Sequence, residues 1–189
     1  MKTINDIPFD RLLYSQANHS ILILYQTDGH LALFIKLTNA SSMKFIESYN
    51  NIADCRDHIQ GNHKKTFTLF IYSENFRTWL NNDYDIPKNL HEIILFYPHS
   101  RNKEYIQHWT NHYSQVKNII AHGELECELL LYGIKYIREL RLDYQDNQRI
   151  LGLLVEDYKN LCSALKNCFT AKLNKSTDLV TRTSVKDGS

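Results

Sequence analysis

Apolar residues fall along the chain in two alternating rhythms. Short, nearly continuous runs recur at "SILILY" (20–25), "MKFIESY" (43–49), "TFTLFIY" (66–72), "HEIILFYP" (91–98) and "VKNIIAH" (116–122). These predict five strands, and the third and fourth are apolar almost throughout, as strands covered on both faces are. Between them the spacing changes to threes and fours. Ile52, Cys55 and Ile59 predict one helix, and Phe76, Trp79 and Leu80 after Ser73 a second. Tyr105, Trp109 and Tyr113 predict a third, and Leu125, Leu129, Leu130, Ile134 and Ile137 beyond Gly123 a fourth. Strands alternating with helices at this spacing give βαβ units, so an α/β (βα)₅ domain with a mostly parallel sheet is expected over residues 19–142.

Three further segments complete the pattern. "YQTDGHLALFIKL" pairs an Asp-Gly turn signal with alternating Leu31, Leu33, Ile35 and Leu37, as a hairpin would. A helix over 29–40 is expected instead, because parallel neighbours need a crossover of about a dozen residues. Residues 1–18 read as an N-terminal extension. In 145–170, Leu151, Leu154, Tyr158, Leu161, Leu165 and Cys168 alternate steps of three and four, the seam of a helix that meets another surface. The remainder, 171–189, carries few apolar residues and is expected to be disordered.

Composition narrows the partners. The 189 residues carry a formal net charge of +1, so no overall field draws the chain to nucleic acid or an anionic membrane. No apolar run approaches the roughly 20 residues that span a bilayer, and "MKTINDIPFDRLLYSQ" has no signal-peptide core. Cys55, Cys127, Cys162 and Cys168 lack CxxC spacing. An intracellular, cytoplasmic protein with reduced thiols is expected.

Chemistry is sparse. "HWTNH" is expected to put His108 and His112 on one helix face, four residues apart, as half a metal site, but no third ligand is identifiable. "GELECE" holds Glu124, Glu126 and Glu128 in the Glu-x-Glu pattern of ADP-ribosyltransferases; at the start of a helix these acids offset the macrodipole instead. The glycine-rich phosphate cradles and the Gly-x-Ser-x-Gly elbow are missing. No catalytic residue, metal or cofactor is expected. In an open parallel sheet, a small ligand binds at the C-terminal strand ends. The residues expected there are Tyr25, Asp28, Ser73, His99, Ser100 and His122.

Two resemblances bear on function. "YSENFRTWL" (72–80) resembles the segment after the third strand of TIR domains, some of which cleave NAD with a glutamate on the following helix. In this chain the tryptophan arrives two residues early, and the expectation adopted is structural: Ser73 caps a helix and Glu74 meets its positive end. More broadly, "YNNIADCRDHI", "FTLFIYS" and "LHEIILFYPHSRNKEYIQHWTNHYSQVKNIIAHGELECELL" are similar to a receiver-like module. That module stands near the N-terminus of large invertebrate proteins with ADP-ribosyltransferase or tetratricopeptide segments. The resemblance implies a flavodoxin-like fold of strand order 2-1-3-4-5 without chemistry. Of the acids a phosphorylated receiver needs, only Asp28 is in place, which makes this a pseudo-receiver.

The function expected is a non-catalytic interaction or assembly module, meeting a protein partner or a second copy through Leu151, Leu154, Tyr158, Leu161 and Leu165. The rival is a nucleotide-binding or TIR-like NAD-processing domain using the strand ends.

Overall fold

The computed structural model describes residues 2–26, 35–81, 85–98 and 103–184, with side chains through residue 174. Among these, five strands form one parallel sheet: β1 (His19–Leu24), β2 (Ile46–Tyr49), β3 (Thr66–Tyr72), β4 (Leu90–Tyr97) and β5 (Val116–Ala121). Their order is β2-β1-β3-β4-β5, so the fold is flavodoxin-like. The helices are α1 (Ile52–Gly61), α2 (Ser73–Asn81), α3 (Lys103–Thr110), α4 (Leu125–Asp143) and α5 (Gln148–Ser184). No helix among the described residues is long and apolar enough to cross a membrane. The chain divides into two compact units, Met1–Glu126 and Cys127–Ser189, with the division in the first turn of α4.

In the first unit, side-chain alternation explains the continuous apolar runs. Leu22, Leu69 and Ile93 lie side by side in register on one face. They share a core with Ile52, Cys55 and Ile59 of α1, Phe76 and Trp79 of α2, and Ile106 of α3. The next residues along each strand, Ile23, Phe70 and Ile94, are paired in the same way on the other face and are buried as well. Strands buried on both faces have no polar side to alternate with. Each such side chain contributes about 1.5–3 kcal/mol.

Two expectations change here. Of the helix expected over 29–40, residues 29–34 lie outside the described residues, and 35–39 are not helical. Lys36 forms an antiparallel bridge with Thr3, and the Leu37 N–H donates to the Lys2 carbonyl at 3.2 Å. Ile35 and Leu37 are buried while Lys36 is exposed, so the two-residue alternation decides the local conformation over the crossover argument. The N-terminal segment also belongs to the core: Ile4, Ile7, Leu13, Tyr14 and Ala17 are buried, and Tyr14 meets Phe45 edge-on at 6.4 Å.

The second unit is a helical hairpin. α4 and α5 are joined by a short turn in which the Asn147 side chain accepts from the Ile150 N–H at 3.1 Å and caps α5. α5 then runs to Ser184, past the expected end at residue 170. No glycine or proline occurs between residues 153 and 184 to stop it. The expectation of reduced thiols is corrected as well: Cys127 and Cys168 form a disulfide, with Cα atoms 6.1 Å apart, while Cys55 and Cys162 are free. The hairpin supplies the reason. About 24 Å of α4 separates Cys127 from the turn and about 30 Å of α5 separates the turn from Cys168, at about 1.5 Å per residue. Sequence spacing alone carries no trace of that proximity.

Candidate functional site

At the C-terminal strand ends, three aromatic rings from adjacent strands come together. Tyr25, directly after β1, meets Tyr72 edge-on at 5.5 Å and Phe96 at 6.0 Å, and Tyr72 and Phe96 are 5.8 Å apart. All three are buried. Ser73 follows immediately, opening α2 with no intervening loop. Its hydroxyl is buried and has no hydrogen-bond partner among the described residues. The expected cap is therefore absent. Ser73 is already a helical residue, whereas a capping side chain belongs to the residue before the helix.

The predicted strand-end set is brought together only in part. Tyr25 and Ser73 directly follow the neighbouring strands β1 and β3. His122 opens a 3-10 turn after β5, half-buried and two strands from β3, about 10 Å across the sheet. Asp28, His99 and Ser100 lie outside the described residues.

The residues that organise this end were not singled out from the sequence. Asn75 of α2 makes a reciprocal pair with the backbone of Gln26: the Gln26 N–H donates to Asn75 Oδ1 at 2.9 Å, and Asn75 Nδ2 donates to the Gln26 carbonyl at 2.9 Å. The Gln26 side chain in turn accepts from the Ile52 N–H at 2.9 Å, and Asn51 Oδ1 accepts from Ala53 and Asp54. These contacts tie the end of β1 to the starts of α1 and α2, at the switch point between β1 and β3. The amides are neutral and their bonds go to backbone groups, so the clamp positions chain and supplies no acid or base. Asn75 is a buried polar residue beside Phe76 on α2, and that burial, which the structure gives, is what marks it as a bonded group.

Other polar groups also have structural employment. Glu124 accepts from the Ala121 N–H at 3.2 Å, and Glu126 accepts from the Asn39 backbone at 2.6 Å and its side chain at 3.0 Å. The Glu-x-Glu pattern thus caps a turn and pins a loop. The expectation that His108 and His112 share a helix face is corrected: α3 ends at Thr110, before His112, and both histidines are exposed. Among the described residues no three His, Cys, Asp or Glu are grouped to hold a metal ion. His19 bridges two strands, with Nδ1 3.0 Å from Thr66 Oγ1 and Nε2 3.1 Å from Thr68 Oγ1. Tyr49 donates to Glu47 at 2.8 Å; burial first, then that bond, raises its pKa. Burial likewise raises the Cys55 thiol, which keeps it protonated and inert. An open groove of about 670 Å³, lined in part by Gln60, His63, Asp85 and Tyr113, lies beside the loops entering β3, β4 and β5, at the opposite end from the expected site.

On α5 the predicted seam divides. Leu154 and Leu161 are fully buried, with Ala164 and Cys168. Leu151, Tyr158 and Leu165 are half-buried, and with Val155, Cys162 and Phe169 they form a second stripe, again in steps of three and four. Cys162 and Phe169 on that stripe are exposed, Phe169 by 46%, and Leu173 beyond it by 67%. No protein-family model, curated protein or solved structure matches this chain.

Proposed function

We propose that the chain is a non-catalytic, receiver-like protein-interaction or assembly module, with α5 as its contact element. One observation carries this reading: α5 keeps an apolar stripe from Leu151 to Phe169 outside its buried seam. Charged residues are absent from that stripe, and a surface helix in water has no use for a second apolar seam unless it meets another protein. The strand ends support the same reading from the other side, because Asn75 and Gln26 spend their amides on holding backbone. The contact we favour is with a second copy, the stripe's heptad spacing being that of a self-pairing helix. Nucleic acid and membrane have no part in it. An intracellular, cytoplasmic location goes with this reading only if the Cys127–Cys168 bond is a transient one, since lasting disulfides are rare in that compartment.

The test is the double substitution Leu165→Glu with Phe169→Glu. It leaves the buried seam intact and puts charge on the stripe, so association is expected to fall while helix content stays. Association unchanged by the pair of charges would remove α5 as the contact.

A second reading has its own observation. The buried Ser73 hydroxyl has no partner among the described residues at the end of β3, where a nucleotide-binding or TIR-like NAD-processing domain would take its ligand. A thermal-shift screen across NAD, ADP-ribose and nucleoside phosphates separates the two. A ligand at 100 times its Kd stabilises by about 2.7 kcal/mol, and a rise of that size would favour the nucleotide.

A further inference from the structure

The disulfide closes the helical hairpin at its open end. The turn holds α4 and α5 together at one end and Cys127–Cys168, 41 residues apart in sequence, holds them at the other. Cys168 is also the last buried residue of α5 among those described; Phe169, Thr170, Ala171, Leu173 and Asn174 beyond it are exposed. The bond therefore sits at the C-terminal end of the buried seam formed by Leu154, Leu161 and Ala164, and none of the described residues 169–174 beyond it is buried.

We infer that Cys127–Cys168 is a thiol–disulfide exchange site, a latch that a dithiol reductant opens to free the C-terminal half of α5. Both cysteines are buried, and Cys168 stands at the end of the α5 seam beside exposed Phe169, so an incoming thiolate is taken to attack the Cys168 sulfur once that end of the helix frays. That attack breaks the Cys127–Cys168 bond, forms a mixed disulfide on Cys168 and expels Cys127 as a thiolate. The second thiol of the reductant then attacks its own sulfur in the mixed disulfide and expels the Cys168 thiolate. The reductant leaves as a disulfide having lost two electrons, and its two protons end on Cys127 and Cys168. Neither remaining cysteine short-circuits this exchange. Cys55 belongs to the other compact unit and is buried, and Cys162 lies about 9 Å along α5 from Cys168 and roughly 240° round the helix.

The consequence rests on the proposed role of α5 as the contact element: the latch sets how much of that helix is held on α4 and how much is available. Opening and association are read by different measurements, so the failure of one is distinguishable from the failure of the other.

The experiment is amide hydrogen exchange on the full chain, oxidised and then treated with dithiothreitol, with non-reducing peptide mapping to confirm the Cys127–Cys168 link. On reduction, protection across residues 155–168 is expected to fall by a factor on the order of 1,000, as releasing a cross-linked loop of this size predicts. Protection in β1, β3 and β4 is expected to stay, and oxidised glutathione to restore the α5 pattern. A Cys127→Ala, Cys168→Ala variant should match the reduced protein whatever the reductant. Unchanged α5 protection on reduction would make the bond a passive staple, and collapse of the sheet together with α5 would make it a general stabiliser. Either result overturns the latch, as does failure of the two cysteines to link under oxidant.

Discussion

The sheet unit and the helical hairpin solve the same problem by different means. In the sheet unit, Leu22, Leu69 and Ile93 on one face and Ile23, Phe70 and Ile94 on the other are all buried, and no cross-link joins any described residues there. Its polar end groups are tied to backbone by Asn75, Gln26 and Asn51. The hairpin has two helices, and α5 buries one seam while leaving a second stripe half-open. Its covalent bond supplies what a two-helix core does not. The lesson is a division of labour: a scaffold whose strand-end amides are spent on holding backbone, and a helix with apolar surface and a reducible tie still available.

Breaking the scaffold should have the largest effect. Phe70→Ala removes a buried ring in register with Ile23 and Ile94, and is expected to cost about 3–5 kcal/mol. Urea unfolding followed by tryptophan fluorescence measures it, because Trp79 and Trp109 both lie in the sheet unit. Cutting the tie comes next. Cys127→Ala with Cys168→Ala should cost the hairpin about 2–4 kcal/mol by helical circular dichroism, while the tryptophan transition holds its midpoint. A tryptophan shift as large as that of Phe70→Ala would erase the contrast between the two regions.

Smaller changes sharpen it. Asn75→Ala strips the reciprocal pair from the Gln26 backbone and should cost about 2 kcal/mol in the same fluorescence assay, since it leaves a donor and an acceptor without their partner. Asn51→Ala removes the α1 cap for about 1 kcal/mol. If Asn75→Ala instead leaves stability unchanged, the amide clamp does not hold the strand ends, and the site there is more open than this account allows.

The scaffold was more legible in the sequence than the site. β3 falls on "TFTLFIY" because a strand buried on both faces leaves a short, nearly continuous run rich in β-branched and aromatic residues, too short for a helix of ordinary length. The segment around Ile35–Leu37 misled because a topological requirement for a crossover was allowed to outweigh a visible two-residue alternation. Ser73 misled because a capping residue type was read without knowing that the helix begins on it. Asn75 and Gln26 were passed over because a side-chain amide that bonds to backbone has no spacing rule to betray it. The disulfide was hidden for the same reason: Cys127 and Cys168 are neighbours only after α4 and α5 fold back at the turn. The heptad steps of α5 were plain in the sequence, but which residues on them face inward was not. Leu154 and Leu161 are buried, so the open stripe runs through Leu151, Tyr158, Leu165 and Phe169.

The central claim is that α5 is where this chain meets another copy. Multi-angle light scattering on the full chain across a hundredfold range of concentration, oxidised and reduced, tests it most directly. The account predicts a mass that rises with concentration from 22.3 kDa towards twice that value, and a rise that Leu165→Glu with Phe169→Glu abolishes. A mass fixed at 22.3 kDa at every concentration and in both redox states would contradict it.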